Sequence, residues 1–457
     1  METINNNYIY YQATKSLCDT CLNQIDAKIV IKEKKVYIKK FCSTHGEMEH
    51  LLEEDADYHL KKVLYDKPST IHTNETSAKN GCPYDCGLCQ LHEQHTCIGL
   101  VEITTKCNML CPMCYASCGK EGKDLEFLTI EKMIDFYIEC EGGKAEILQI
   151  SGGEPTLHAD ILEILELCKN KNIGHVMLNT NGIKLAEDIE FVKKLAPLTS
   201  GFEIYLQFDS LKDEVYEKTR NRKMFEIKKK AIDNLNKYNI PTTLVCTVTR
   251  NCNDNELSEI INYGLATSCV RGVNFQPAAR FGCYEDALDD SYTVSGIMNL
   301  IEASSNKIIK SSDFVPLPCN VERVAVTYLY KKGKSFVPIT RNKNIEKYVP
   351  FISNTFLFKI EDSLAQGEAP SFGFCKCLDF LNDFNKLVPK SFLKWNKDDR
   401  VKYLNENTFR ITISSFVDKY NFDLKSMQKE CVHIITPDLK RIPFSAYNMI
   451  HRSKQNV

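Results

Sequence analysis

Apolar positions follow two alternating patterns through the middle of the chain. Continuous apolar runs occur at IGLVEIT (98–104), EILQIS (146–151), HVMLNT (175–180), EIYLQFD (203–209), TTLVCTV (242–248) and GVNFQP (272–277). Runs of this length read as strands buried on both faces. Between them, residues 129–140, 161–170, 189–198, 224–238 and 255–266 carry apolar side chains at helical spacing. Thr129 is the expected N-cap of the first helix. Six strand–helix steps predict an α/β fold with a parallel sheet covered by helices. In parallel barrels chemistry gathers at the carboxyl ends of the strands. Every unusual segment of this region falls there: a cysteine loop, Ser-Gly-Gly-Glu-Pro, Asn-Thr-Asn-Gly, Gln-Phe-Asp and Asn-Phe-Gln-Pro.

Around this core the pattern divides the chain into four parts. Residues 1–80 hold a short Cys/His ribbon and a polar linker, and 81–97 a cysteine-rich segment. The six-step unit runs over 98–285, and 286–457 reads as mixed α+β. Of 457 residues, 43% are hydrophobic, which excludes a disordered or fibrous protein. Lys+Arg 58 against Asp+Glu 60 leaves a net charge of -2, so no field argues for nucleic acid. No run is long enough to span a bilayer, which allows at most peripheral membrane contact. METINNNYIYYQATK lacks a basic start followed by an apolar run, so a cytoplasmic protein is expected.

Cysteine changes the picture. There are 21, and Cys18, Cys21, Cys42, Cys82, Cys86, Cys89, Cys97, Cys107, Cys111, Cys114 and Cys118 fall early in the chain. Without an export signal, such clustering reads as metal ligation rather than disulfides. Cys18-x2-Cys21 and Cys42-x2-His45, joined by two strand-like runs, suit zinc or a mononuclear iron. Cys82-x3-Cys86-x2-Cys89-x7-Cys97 offers four thiolates, enough for a closed auxiliary [4Fe–4S] cluster or zinc. Cys107-x3-Cys111-x2-Cys114 offers three, which can hold three irons of a [4Fe–4S] cube and leave the fourth open. A zinc knuckle or free thiols is the alternative for that loop. Cys319, Cys375, Cys377 and Cys431 either converge on a further cluster or are buried free thiols. The remaining cysteines lack partner spacing and read as structural.

The cysteine loop after the first strand, with Gly152, Gly153 and Glu154 ending the second, resembles the radical S-adenosylmethionine (SAM) superfamily. The resemblance implies a partial (β/α)6 barrel whose open iron binds the amino and carboxylate groups of SAM. Gly152, Gly153 and Glu154 would hold the methionine amino group and Tyr115 would face the adenine, although Met113 stands where the superfamily is often aromatic. Asn179, Asn181, Gln207, Asp209, Asn274 and Gln276 end later strands and are candidates for the ribose and carboxylate, with turn chemistry as the alternative for Asn-Gly. Reductive cleavage of SAM would yield a 5′-deoxyadenosyl radical that takes hydrogen from an sp3 carbon. The electron would come from a donor such as ferredoxin or flavodoxin.

Nearly the whole chain, including CPYDCGLC, HEQHTC, RGVNFQPA, VPLPC, FVPITR and IPFSAYN, is similar to the tetraether lipid synthases of archaea and their bacterial relatives. That resemblance implies carbon–carbon bond formation on a long hydrophobic lipid, auxiliary [4Fe–4S] clusters, and a further cluster in the C-terminal region. In the family, cysteine follows PLPC and recurs in the last segment, whereas NVERVAV and Ser445 stand here. The C-terminal cluster is therefore rebuilt with Cys375 and Cys377, or absent. A radical SAM methyltransferase on a pterin-like substrate or a peptide-modifying enzyme is the alternative, and an iron–sulfur electron carrier the non-enzymatic one.

Overall fold

The computed structural model describes residues 7–116, 119, 121–284, 291–332, 335–341, 346, 349, 352, 354–356 and 388–452. Cys375 and Cys377 lie outside the described residues.

The N-terminal module is an antiparallel sheet of β1 (Ile9–Leu17), β2 (Gln24–Lys32), β3 (Lys35–Cys42) and β4 (Gly46–Glu53), in that order. Glu33 and Lys34 take positive φ between β2 and β3. A two-residue hairpin turn of that hand follows the twist of its strands. Ser16 Oγ donates to Phe422 O at 2.7 Å and Lys40 Nζ to Lys419 O at 2.8 Å, which seats the ribbon on the C-terminal region.

The six expected strands form: β5 (Ile98–Glu102), β6 (Ala145–Ser151), β7 (Ile173–Thr180), β8 (Phe202–Gln207), β9 (Thr242–Val248) and β10 (Val270–Pro277). Each pairs in parallel with the next. The covering helix after β5 starts at Phe127, with Glu126 rather than Thr129 in the cap position and no side-chain cap bond. Tyr137 anchors that helix, its hydroxyl donating to Ile147 O at 3.0 Å from a fully buried position.

The C-terminal region is not a separate layer. After β11 (Val315–Pro316) come β12 (Val324–Lys332), β13 (Ser335–Pro338), β14 (Thr408–Ser414), β15 (Val432–Ile435) and β16 (Arg441–Pro443). β14 joins β10 in parallel, and β15 joins β5 in parallel, so both edges of the barrel sheet are extended by the same region. This covers edges that would otherwise offer unpaired backbone. Arg410 of β14 reaches across to Glu203 of β8, 3.3 Å away, with His175 Nε2 at 3.6 Å. Burial works against the Glu203 carboxylate, but Arg410 and His175 outweigh it and hold the group down to about 2.

No helix among the described residues is long and apolar enough to cross a membrane.

Candidate active site and metal centres

The cysteine loop is held against the end of β6 by backbone. Gly153 N donates to Thr104 O and Glu154 N to Lys106 O, both at 2.8 Å. Gly152 takes φ +135°, and a Cβ there would lie 2.3 Å from Thr104 O; a Cβ on Gly153 would lie 2.2 Å from Lys106 O. Only glycine permits this approach, so Gly-Gly is dictated by the packing of strand end on loop. Glu154 is then buried, its carboxylate accepting from Thr156 Oγ1 at 2.6 Å, Thr180 Oγ1 at 2.7 Å and Asn181 N at 2.7 Å. Asn181 Nδ2 donates to Asn108 Oδ1 at 2.7 Å, tying the third strand end to the same loop.

A cavity of about 260 Å³ opens over this loop and runs into the barrel bore. Cys107, Cys111, Cys114, Tyr115, Gly152, Gly153, Glu154, Asn179, Asn181, Gln207, Asn274 and Gln276 all line it. Asp209 does not. It is fully buried, with Arg220 Nε at 2.6 Å and Thr247 N at 3.0 Å on its carboxylate. Asp209 thus orients Arg220, whose guanidinium lies against the Cys111 thiol. Burial pushes the Cys107 thiol up to about 12, so a metal bound there would be needed to hold it as thiolate. Three thiols on one cavity wall, with Glu154 beside them, fit a three-ligand cluster with an open side.

Lys228 was not singled out by sequence. Its Nζ, fully buried, donates to Asn181 O at 2.6 Å and Gln207 Oε1 at 2.7 Å, fixing two strand ends from behind. The signal was present in the helical register, since Met224, Lys228, Ala231, Ile232 and Leu235 share the buried face while Lys229 and Lys230 are exposed. Burial pushes the Lys228 ammonium down to about 7. Because the unfolded chain holds that proton to higher pH, stability gains a positive slope with pH above 7 from this residue. Lys228→Met is expected to flatten that slope in urea melts at pH 7 and 9, and to raise the KM for SAM about tenfold through the loss of two buried hydrogen bonds that fix the strand ends.

The other cysteines regroup. Cys18, Cys21, Cys42 and His45 converge as expected, their ligand atoms within 4.8 Å of one another. Backbone hydrogen bonds from Thr44 and the His45 side chain draw the Cys42 thiol down to about 6, a setting suited to a metal thiolate. The four-cysteine site expected from Cys82, Cys86, Cys89 and Cys97 does not assemble. Cys82, Cys86 and Cys89 lie within electrostatic reach of one another and of Glu430. Cys97 instead meets Cys319 and Cys431, all three buried and their sulfurs within 4.8 Å of one another. The reason is topological: Cys97 N donates to Cys431 O at 3.0 Å as β15 pairs with β5, which draws Cys97 across to the C-terminal strand. Of the four cysteines expected together in the C-terminal region, Cys319 and Cys431 lie beside each other with Cys97, while Cys375 and Cys377 lie outside the described residues. His95 Nε2 is 3.7 Å from Cys97 Sγ, while His92 is bonded to Glu430 O and meets the His433 ring edge-on.

Residues 101–264 match the Radical SAM superfamily, and residues 10–54 the HMPTM N-terminal zinc ribbon domain. The 7,8-dihydro-6-hydroxymethylpterin dimethyltransferase of Methanocaldococcus jannaschii is 33% identical over 96% of this chain and 94% of its own length. The chain belongs to the radical SAM superfamily. Its radical SAM domain implies a [4Fe–4S] cluster and SAM, and its zinc ribbon supports metal binding at the N-terminus. The mycofactocin maturase MftC of Mycolicibacterium smegmatis is 27% identical over 35% of this chain and 39% of its own. The crystal structure of Streptococcus suis SuiB bound to S-adenosylmethionine is 15% identical, covers 47% of this chain and 48% of that one, and superposes with a TM-score of 0.39.

Proposed function

We propose that this radical SAM enzyme is a methyltransferase acting on a reduced pterin. The observation that carries the reading is the end-to-end similarity to a protein named as a pterin dimethyltransferase. The expectation of lipid coupling finds no support in that relative and gives way to the methyltransferase alternative. The bore below the SAM-facing strand ends supports the change. Gln149, His175, Glu203, Tyr205, Asn274 and Arg410 line it among Ile147, Met177, Val245 and Phe356, so an apolar wall carries a few polar groups that suit the orientation of a hydrogen-bonding ring.

Cluster and SAM, when bound, supply the carbon radical that takes hydrogen from the substrate. Around them the chain positions and shields. Glu154 and Asn181 fix the strand ends that face SAM, Lys228 braces them from behind, and Arg220 stands on the cavity wall beside Cys111. Phe281, Phe416 and Phe444 on the cavity wall exclude water from the reacting atoms. Anaerobic incubation of reconstituted enzyme with SAM, reductant and 7,8-dihydro-6-hydroxymethylpterin is expected to yield methylated pterin by mass spectrometry. A product formed only from a glycerol ether lipid would overturn the reading.

The Cys97, Cys319 and Cys431 site is proposed to hold a second metal centre on the wall of the same cavity, which Cys431 also lines. Metal–thiolate bonds of about 2.3 Å place the sulfurs of one tetrahedral ion about 4 Å apart, a spacing the three thiols accommodate. In a Cys107/Cys111/Cys114 triple-alanine background, adding Cys97→Ala is expected to lower bound metal measured by plasma mass spectrometry. Adding Cys82→Ala should leave the Cys97-dependent metal in place. Equal metal content with and without Cys97 would remove the site.

A further inference from the structure

Three side chains that line the cavity each carry a buried polar atom with no partner among the described residues: Asn274 Oδ1, Asn320 Oδ1 and Ser414 Oγ. Asn274 and Asn320 are each 4% exposed and Ser414 7%. They come from three segments that the sheet brings side by side. β14 lies between β10 and β12, with Asn274 paired to Thr412 and Ser414 to Val324, and Asn320 in the turn that leads into β12. The three side chains therefore belong to one wall, contributed largely by the region C-terminal to the barrel. Buried groups of this kind are nearly always hydrogen-bonded, and leaving them unpaired is costly.

The wall's chemistry selects its ligand. Both amide oxygens accept only. Asn274 Nδ2 is already committed to the Tyr205 hydroxyl, so its oxygen remains for a ligand. Arg323 lines the same wall, yet its guanidinium is turned into the protein, bonded to Ser426 Oγ at 2.8 Å and Asn421 O at 3.2 Å. Glu430 is likewise engaged, accepting from Ser445 Oγ at 2.9 Å. Arg410 of β14 is paired with Glu203, so among the described residues of this wall an anion would meet acceptors and no cation without a carboxylate or backbone partner. An alkyl chain would leave all three atoms unpaired. Val324, Phe416 and Phe444 beside them offer flat apolar contact. Acceptors at an edge and apolar side chains across a face fit a planar ring whose edge carries N–H donors.

We infer that Asn274, Asn320 and Ser414 form the wall that reads the N–H-bearing edge of a flat nitrogen heterocycle held beside the cysteine loop. This inference rests on the pterin-class reading above and adds the residues that would enforce it.

The test uses anaerobically reconstituted full-length enzyme. Binding of 7,8-dihydro-6-hydroxymethylpterin, a dialkyl glycerol ether lipid and SAM is measured by equilibrium dialysis for wild type, Asn320→Leu, Ser414→Ala and Ser414→Thr. Asn320→Leu and Ser414→Ala are each expected to weaken pterin binding about tenfold, because each removes one buried partner of the ligand. Ser414→Thr keeps the hydroxyl and should keep most of the affinity. Without ligand, Asn320→Leu should melt at or above the wild-type temperature, since it removes an unpaired polar atom of similar shape. A lowered melting temperature would mean that the amide serves the fold, and would overturn the inference. A parallel loss of SAM affinity would assign the wall to SAM and overturn it too. Unchanged pterin affinity in both variants sinks this inference and leaves the methyltransferase reading standing. Wild-type enzyme that binds the lipid and not the pterin sinks both.

Discussion

Replacing any one of Cys107, Cys111 or Cys114 by alanine is expected to abolish 5′-deoxyadenosine formation and to leave the melting of the protein nearly unchanged. The two halves of that expectation have separate causes. Three thiolates are the whole protein contribution to a cluster of this kind, so losing one removes a third of its anchorage and opens a second iron to solvent. The loop does not depend on the thiols for its own shape. Cys107 N donates to Gly119 O at 3.0 Å, and Cys114 N donates to Cys111 O at 3.2 Å. Met109, only 5% exposed, plugs the loop into Ile183, Tyr216 and Met224. Those contacts survive each substitution. The measurement is anaerobic single turnover with dithionite and SAM, alongside calorimetry. Wild-type yields of 5′-deoxyadenosine from any of the three variants would end the assignment. A collapse in melting temperature would instead mean that the thiols support the fold.

What sequence made legible, and what it did not, follows from how far each interaction reaches. Buried parallel strands announce themselves because both faces are apolar, and all six appeared within a few residues of their expected bounds. The helix start at Phe127 rather than Thr129 shows how weak a single cap residue is once packing fixes the helix against β5. The loop with Cys107, Cys111 and Cys114 is local, and its neighbour Glu154 is tied to it by adjacent strands, so spacing sufficed. Cys97 shows the limit. Its separation of seven residues from Cys89 suggested a shared site, but the pairing of β15 with β5 sets its neighbours, and that contact spans more than 300 residues of chain. Asp209 shows another limit: a carboxylate at a strand end invites a ligand role, and only the structure reveals Arg220 already on it. Lys228 lies between these cases. Its register was readable, but a lysine beside two others on a helix reads as a solvated face.

The buried guanidinium of Arg441 is the second place where one substitution should have a large effect. Arg441, in β16, is fully buried and spends its whole fork. Nε donates to Glu75 Oε1 at 3.0 Å, Nη1 to Glu141 Oε1 at 2.6 Å and Thr96 Oγ1 at 3.3 Å, and Nη2 to Thr73 O at 2.8 Å. It thereby fastens the linker at Thr73 and Glu75, the C-terminal end of the helix at Glu141, and the entry to β5 at Thr96. Glu75 passes the restraint on, since its Oε2 accepts from Leu88 N at 2.9 Å, between Cys86 and Cys89. Arg441→Met would leave two nearly buried carboxylates without their cation, a loss of about 3–5 kcal/mol for a broken buried pair. Arg441→Lys keeps the charge but lacks the planar fork, so it should recover only part of that loss. Thermal unfolding is expected to rank wild type above Arg441→Lys and both above Arg441→Met. Because Arg441 also holds Thr96, the neighbour of Cys97 in the proposed second metal site, Arg441→Met should speed the loss of that metal to a chelator at temperatures where the fold persists. Unchanged chelation rates together with a lowered melting temperature would confine Arg441 to the stability of the sheet edge and sever it from the cysteine segment.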